Sequence, residues 1–161
     1  VNLQNVELPN SLEYIEDYAF RNTGLSNVSM PLNIKRFYAD AFDDNVQINI
    51  PNIVTWCSVE RYSYQQHNNQ LMHQGIGLKN LNIPEGVTVI QNGFNECQTI
   101  VSLDIPTSVT SIVRNAFNAC NNLKSITYQG TVSDWAKVEC PPGSFASGLT
   151  ITCTDGTVTT Q

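Results

Sequence analysis

The sequence predicts a solenoid, a strand-rich α/β-type stack of short repeats rather than a globule around one centre, and three observations point to it. The first is a phrase that recurs along the chain. It reads Ile100, Leu103, Ile105-Pro106, Val109, Ile112, Ala116-Phe117, Cys120, Leu123, and one unit upstream Leu78, Leu81, Ile83-Pro84, Val87, Ile90, Gly93-Phe94, Cys97. It also opens the chain, as Leu3, Val6, Leu8-Pro9, Leu12, Ile15, Ala19-Phe20, then Leu25, Val28, Met30-Pro31, Ile34, Phe37, Ala41-Phe42. The second is the period: Pro9 to Pro31 is 22 residues, Pro31 to Pro51 is 20, and Pro84 to Pro106 is 22. The third is energetic. One unit buries too few apolar side chains to offset the entropy of ordering its backbone, so the units must stack.

A period in this range, opening Leu-x-x-Ile-x-Ile, belongs to the leucine-rich-repeat class of solenoids. The expected architecture is a right-handed superhelix of short strands and tight helical turns, in one domain over residues 1–161. Within it, residues 1–45 are regular repeats, 46–77 an irregular rung, 78–128 regular repeats again, and 129–161 a C-terminal hairpin cap.

The elements follow in order. In residues 1–24 and 25–45, Leu-x-x-Val-x-Leu/Met alternates inward and outward as a strand does. The next proline lacks an N–H and ends the ladder at a fixed place. A second apolar pair, Leu12 and Ile15 or Ile34 and Phe37, faces inward from the opposite wall. Ala-Phe makes a tight helical turn, its ring filling the space between rungs, and Ala19, Ala41, Gly93 and Ala116 let the chain pass closely there.

Residues 45–77 break the pattern: Asn45 takes the usual leucine slot, and Pro51 to Pro84 spans 33 residues. The expectation is a modified rung, with a short helical piece after Trp56 and then an excursion onto one face. Residues 78–123 restore two regular units, Leu123, Ile126 and Tyr128 begin a last strand, and Trp135-Ala-Lys-Val138-Glu139 echoes Trp56-Cys-Ser-Val59-Glu60. The tail alternates around Asp155-Gly156, a strong hairpin signal, and would cover the final edge strand.

The wording Ile105-Pro-x-Ser-Val-Thr-Ser-Ile112, then Ala116-Phe-x-x-Cys-x-x-Leu123, resembles the BspA-like leucine-rich repeats of bacterial surface proteins. The resemblance covers Val1 to about Tyr128, and the ending Ile151-Thr-Cys-Thr-Asp-Gly-Thr157 is similar to the terminal segment of such proteins. It implies a non-catalytic, cell-surface or secreted, adhesive module with an unidentified protein or glycan partner. The chain opens on Val1-Asn2-Leu3 inside a repeat, which reads as a piece of an exported protein whose leader and earlier rungs lie outside it.

Composition narrows the partner. Eight basic against 14 acidic residues give a net charge of −6. That disfavours nucleic acid and anionic membranes, both of which need a basic surface. No apolar run is long enough to cross a bilayer, and the expected state is a monomer. Five cysteines leave at least one thiol unpaired. Cys97 and Cys120 share a slot in neighbouring rungs and read as packed thiols; Cys57, beside Trp56, reads as packing. Cys140 and Cys153 flank a proline-rich turn, where a bridge and two free thiols both fit.

Two surfaces are candidates for contact. The concave-face columns run Glu7, Ser29, Asn49, Asn82, Asp104 and Thr127, small polar residues that suit weak contact or plain solvation. The irregular rung gathers Trp56, Arg61, Tyr62, Tyr64, His67 and His73, with the amides Gln65, Gln66, Asn68 and Asn69 beside them. Aromatic rings next to amides suit stacking on a sugar or anchoring a peptide; the other reading is that Trp56 and Tyr62 seal a gap in the stack. A structural spacer that displays another domain is the alternative function, and buried rings in this rung would favour it. The six-residue separation of His67 and His73 fits no metal or base motif. Glu16-Asp17 and Asp43-Asp44 lack the further oxygens a calcium site needs. No catalytic residue, metal or cofactor is therefore expected.

Overall fold

The computed structural model describes residues 3–67 and 69–161. Val1, Asn2 and Asn68 lie outside the described residues, and with them the part of the opening strand and of the amide group assigned to these positions. The strands are β1 (Tyr14–Ile15), β2 (Asn27–Ser29), β3 (Arg36–Tyr38), β4 (Gln47–Ile50), β5 (Glu60–Tyr62), β6 (Gln70–His73), β7 (Ile76–Gly77), β8 (Asn80–Asn82), β9 (Val89–Ile90), β10 (Ser102–Ile105), β11 (Ser111–Ile112), β12 (Ser125–Tyr128), β13 (Thr150–Thr152) and β14 (Thr157–Thr159). Two short helices, α1 (Ile53–Cys57) and α2 (Val132–Trp135), each bury a tryptophan.

The strands form two walls. On the first wall, β2-β4-β6-β7 is one sheet and β8-β10-β12-β13-β14 another. On the second, β1-β3-β5 and β9-β11 are separate short sheets. Pairing between successive repeats is parallel and in register: Val28 with Ile48 and Leu71, then Leu81 with Leu103, Ile126 and Ile151. These inward residues are all buried, because side chains of one strand alternate between faces and the partner rung repeats the alternation. The core is one continuous cluster running from Ile15 to Cys153.

The phenylalanines stack in two columns. Phe20 lies on Phe42 with ring centroids 5.6 Å apart, and Phe94, Phe117 and Phe145 stack at 5.5 and 5.2 Å. Between the columns the interior changes character. Arg61 occupies the inward position in register with Ile15 and Phe37, and buried polar side chains, Arg61 and His67, join the rings of Phe37 and Trp56 in the filling.

Several expectations need correction. Residues 3–8 form no strand, and Val6 and Leu8 are only half-buried; among the described residues the Leu3 N–H on the Thr23 carbonyl at 2.7 Å ties them to the next repeat, too little for a ladder. In the irregular rung the helix ends at Trp56-Cys57 instead of following it. Gln70–His73 is no excursion but a full member of the first wall, pairing with β4 over four residues, and β7 folds back on it antiparallel. The inward slot forfeited by Asn45 passes one residue on, to the buried Val46. Asn45 itself turns the chain in the left-handed region, at φ +67°, which asparagine tolerates.

The same hairpin arrangement recurs at the other end: β13 pairs parallel with β12, and β14 returns antiparallel across a turn at Asp155-Gly156. All five cysteines are free, Cys140 and Cys153 included. Burial pushes the Cys57 and Cys120 thiols up to about 12, so both pack as small apolar groups.

Candidate interaction surface

The outward columns of the first wall are present in register. Ser29 stands beside Asn49 and Met72, and Asn82 beside Asp104, Thr127 and Thr152. Their side chains bond along the stack: Ser102 Oγ donates to Asn80 Oδ1 at 2.8 Å, and Gln129 Nε2 to Asp104 Oδ2 at 2.8 Å. Glu7 is exposed but lies in no strand. His73 sits half-buried at the end of β6, on this wall, whereas Arg61 and Tyr62 belong to β5 in another sheet.

The remaining residues of that rung separate into an inside and an outside. Trp56 is fully buried; its ring packs 5.5 Å from Phe37, and its indole N–H donates to the Gly93 carbonyl at 3.0 Å. Arg61 is buried and held by Glu96, Nη2 to Oε2 at 2.9 Å, with a second N–H on the Asn95 carbonyl. His67 is buried between two carboxylates, Nε2 3.0 Å from Asp40 and Nδ1 3.0 Å from Asp44. Burial alone would raise the Asp40 carboxyl, but the Tyr64 N–H at 2.8 Å and the His67 ring outweigh it and hold the group below its ordinary range. Trp56, Arg61 and His67 therefore lie beneath the surface, their polar atoms engaged within the chain. They fasten the rung to its neighbours; Tyr62 and Tyr64 are what it presents.

Those two rings do not stand alone. Tyr38 stacks on Tyr62 at 5.5 Å and on Tyr64 at 5.9 Å. The register Tyr14–Arg36–Glu60 and Tyr38–Tyr62 brings residues from three successive repeats to one face. Arg36 lies 5.2 Å from the Tyr14 ring centroid and 6.0 Å from that of Tyr62, while Arg21 lies 5.2 Å from Tyr18. Four rings are exposed: Tyr14 at 47%, Tyr18 at 53%, Tyr62 at 44% and Tyr64 at 69%. Tyr14, Tyr18, Arg36 and Tyr38 escape a reading by segment, since they sit inside regular repeats. The available signal was composition, for five of the six tyrosines fall before residue 65.

Among the described residues, no group of three or more His, Cys, Asp or Glu side chains could hold a metal, and no helix is long and apolar enough to cross a membrane.

Parallel in-register ladders recurring every 20 to 24 residues, with inward leucines and isoleucines, define a leucine-rich-repeat protein. More narrowly, the chain belongs to the BspA type leucine rich repeat family, whose repeat matches in six copies over residues 1–75 and 68–137. Among solved structures, a leucine rich cell surface protein from Faecalibacterium prausnitzii A2-165 is similar. It is 25% identical, with 73% of this chain and 36% of that one covered and a TM-score of 0.42. The present chain thus spans about a third of that protein. No curated protein matches it.

Proposed function

We propose that this chain is a non-catalytic interaction module of a bacterial surface or secreted protein, adhesive towards a protein or glycoprotein. The observation that carries the reading is the exposed tyrosine face. Tyr62 and Tyr64 stand out of the irregular rung while Trp56, Arg61 and His67 anchor it from below. Interfaces draw their energy from Tyr, Trp and Arg rather than from small polar residues. That weighs for this face over the columns through Ser29, Asn49, Asn82, Asp104 and Thr127, which already bond along the stack. Residues 1–161 act as one right-handed leucine-rich domain and as a monomer, and the hairpin of β13 and β14 caps the last rung by occupying the free edge of β12. A spacer role is the second reading, favoured by the burial of Trp56, which closes the gap in the stack.

Binding of the exported polypeptide to immobilised glycans and extracellular matrix proteins tests the proposal. The expected result is specific capture that falls when Tyr62→Ser and Tyr64→Ser are combined. Uniform silence across both panels would leave the spacer reading in possession.

A further inference from the structure

We propose that the tyrosine face formed by β1, β3 and β5 docks a cationic protein segment, its arginine or lysine side chains lying on the phenol rings with the carboxylates of the same face as counter-ions. The inference rests on the interaction reading above and gives the partner its chemistry. Exposed aromatic surface alone would suit a sugar equally well, so the argument turns on charge.

The face already holds cations on its rings. Guanidinium groups approach Tyr14, Tyr18 and Tyr62 at 5.2 to 6.0 Å from the ring centroids, within the range of cation–π attraction. Two of its three cations are spoken for, however. Arg36 is paired with Glu16 at 3.0 Å, and Lys35 with Glu13 at 2.9 Å. What is left over is net negative, Glu60 and Asp17 against Arg21, whose Nη1 has no hydrogen-bond partner. Glu60 accepts only the Tyr62 hydroxyl, at 3.3 Å, among the described residues. Asp17 keeps Oδ1 shielded from solvent with no hydrogen-bond donor. The phenols register the same field: the Glu60 carboxylate pushes the Tyr62 hydroxyl up, and the Tyr38 phenol, then burial and Asp17, push up that of Tyr64. The Glu60 carboxylate beside open rings complements an ammonium or guanidinium; an anionic partner would be repelled, and a neutral sugar would leave the surplus charge unanswered.

Backbone strain gives independent support. Tyr18 adopts φ +59°, and Asn115 holds the equivalent place before Ala-Phe in a later repeat at φ +65°. Asparagine tolerates the left-handed region and a bulky ring does not, so Tyr18 is accommodated at a cost that packing does not explain, since the ring is exposed. The matching columns of β9 and β11 show what the scaffold needs without such a face. There the outward residues in register are Val89, Ser111 and Glu139.

The test is fluorescence polarisation at fixed ionic strength with three labelled probes: an oligo-arginine peptide, an oligo-glutamate peptide of equal length and a neutral cello-oligosaccharide. The wild-type chain should bind the arginine probe and neither of the others. Combining Tyr62→Leu and Tyr64→Leu leaves the charge unchanged and should weaken binding roughly five- to twenty-fold, two lost cation–π contacts. Glu60→Gln should weaken it by more than Glu85→Gln, which neutralises an exposed carboxylate between Pro84 and Gly86 of the other array. Equal losses from those two acids, with the tyrosine variant unaffected, would mean diffuse attraction to a chain of net charge −6 and would overturn the proposal. Binding of the oligosaccharide at the tyrosines would overturn it in favour of a glycan, with the interaction reading intact. Silence towards all three probes also defeats it; capture by the matrix and glycan panels then decides whether the broader reading survives.

Discussion

Residues 47–77 and 125–159 are two versions of one unit. Each begins with a strand of the first wall, β4 or β12, and continues into a short helix that buries a tryptophan. In each a valine follows three residues after the tryptophan, and then a glutamate, Glu60 beside Arg36 or Glu139 beside Ser111. Each then returns to the first wall, as β6 or β13, and doubles back in an antiparallel partner. The units differ in what lies beyond and between. After the first, further repeats are fitted against the helix: the Gln91 N–H bonds the Cys57 carbonyl at 2.7 Å, and Asn92 exchanges two hydrogen bonds with the Arg61 backbone. The second carries Cys140-Pro-Pro-Gly-Ser-Phe145, and Phe145 extends the aromatic column. A hairpin on the ladder therefore does not by itself end the stack. The first unit gives up its ring for Arg61, His67 and two displayed tyrosines, and the second keeps the ring and displays none.

If that contrast is right, the two tryptophans should be unequal. Trp56→Ala removes a fully buried ring and its hydrogen bond, and should cost about 3–5 kcal/mol. Trp135→Ala, whose ring is 8% exposed and makes no hydrogen bond found among the described residues, should cost visibly less. Urea unfolding of both variants measures the difference, and equal losses would break the comparison. The buried polar filling comes next. Asp40→Ala removes the partner of the buried His67 Nε2 and of the Tyr64 N–H, a loss of roughly 1–3 kcal/mol by the usual cost of an unsatisfied buried polar group.

Acid should reach the same contact. The folded Asp40 carboxyl titrates below its ordinary 3.8, so the unfolded chain takes up protons first as pH falls. The stability this group contributes is complete above that value and is lost as pH drops through the folded one. Chemical unfolding midpoints followed downward from neutral pH should show a decline that Asp40→Asn makes shallower. In the second unit Asp134, lowered to about 2 by the Lys137 ammonium and the Thr131 cap, extends the decline to lower pH.

A smaller effect isolates the junction. A Cβ on Gly93 would stand 3.0 Å from the Val59 carbonyl oxygen and 3.1 Å from that of Trp56, both backbone. Gly93→Ala should therefore destabilise by about 1–3 kcal/mol through overpacking, although alanine is native at the same slot as Ala41 and Ala116. Paired with Trp56→Ala, the penalty should shrink, because the helix can then shift; a double-mutant cycle reads that coupling.

Much of this was legible in the chain because the signals are local. Alternation around each proline marks the first-wall strands, Trp-x-x-Val marks both helical units, and Asp155-Gly156 marks the last turn. What stayed hidden depends on neighbours more than twenty residues away. His67 reads as a surface histidine until Asp40 and Asp44 of the preceding rung enclose it. Gln70–His73 has a single fully buried residue, Leu71, and no proline, so nothing in it announces a strand. Phe145 follows Pro-Pro-Gly-Ser instead of standing in an Ala-Phe phrase. The tyrosine face is the extreme case, for Tyr14, Arg36 and Tyr62 become one surface only through the register of β1, β3 and β5.

The smallest predicted effect bears on that face most directly. Exposed rings contribute little to folding, so Tyr64→Ser should change stability by no more than about 0.5 kcal/mol. Tyr18→Asn should go further and stabilise the chain, by roughly 0.5–1 kcal/mol, because asparagine adopts the left-handed backbone with less strain. The reverse substitution in the later repeat, Asn115→Tyr, should destabilise by a similar amount, since that position has the same φ. Thermal unfolding of the two variants side by side checks both signs. A stabilised Tyr18→Asn chain would mark Tyr18 as a residue that folding does not require; an unstable one would mean that the ring, stacked under Arg21, supports the first repeat and that the exposed face has a structural part after all.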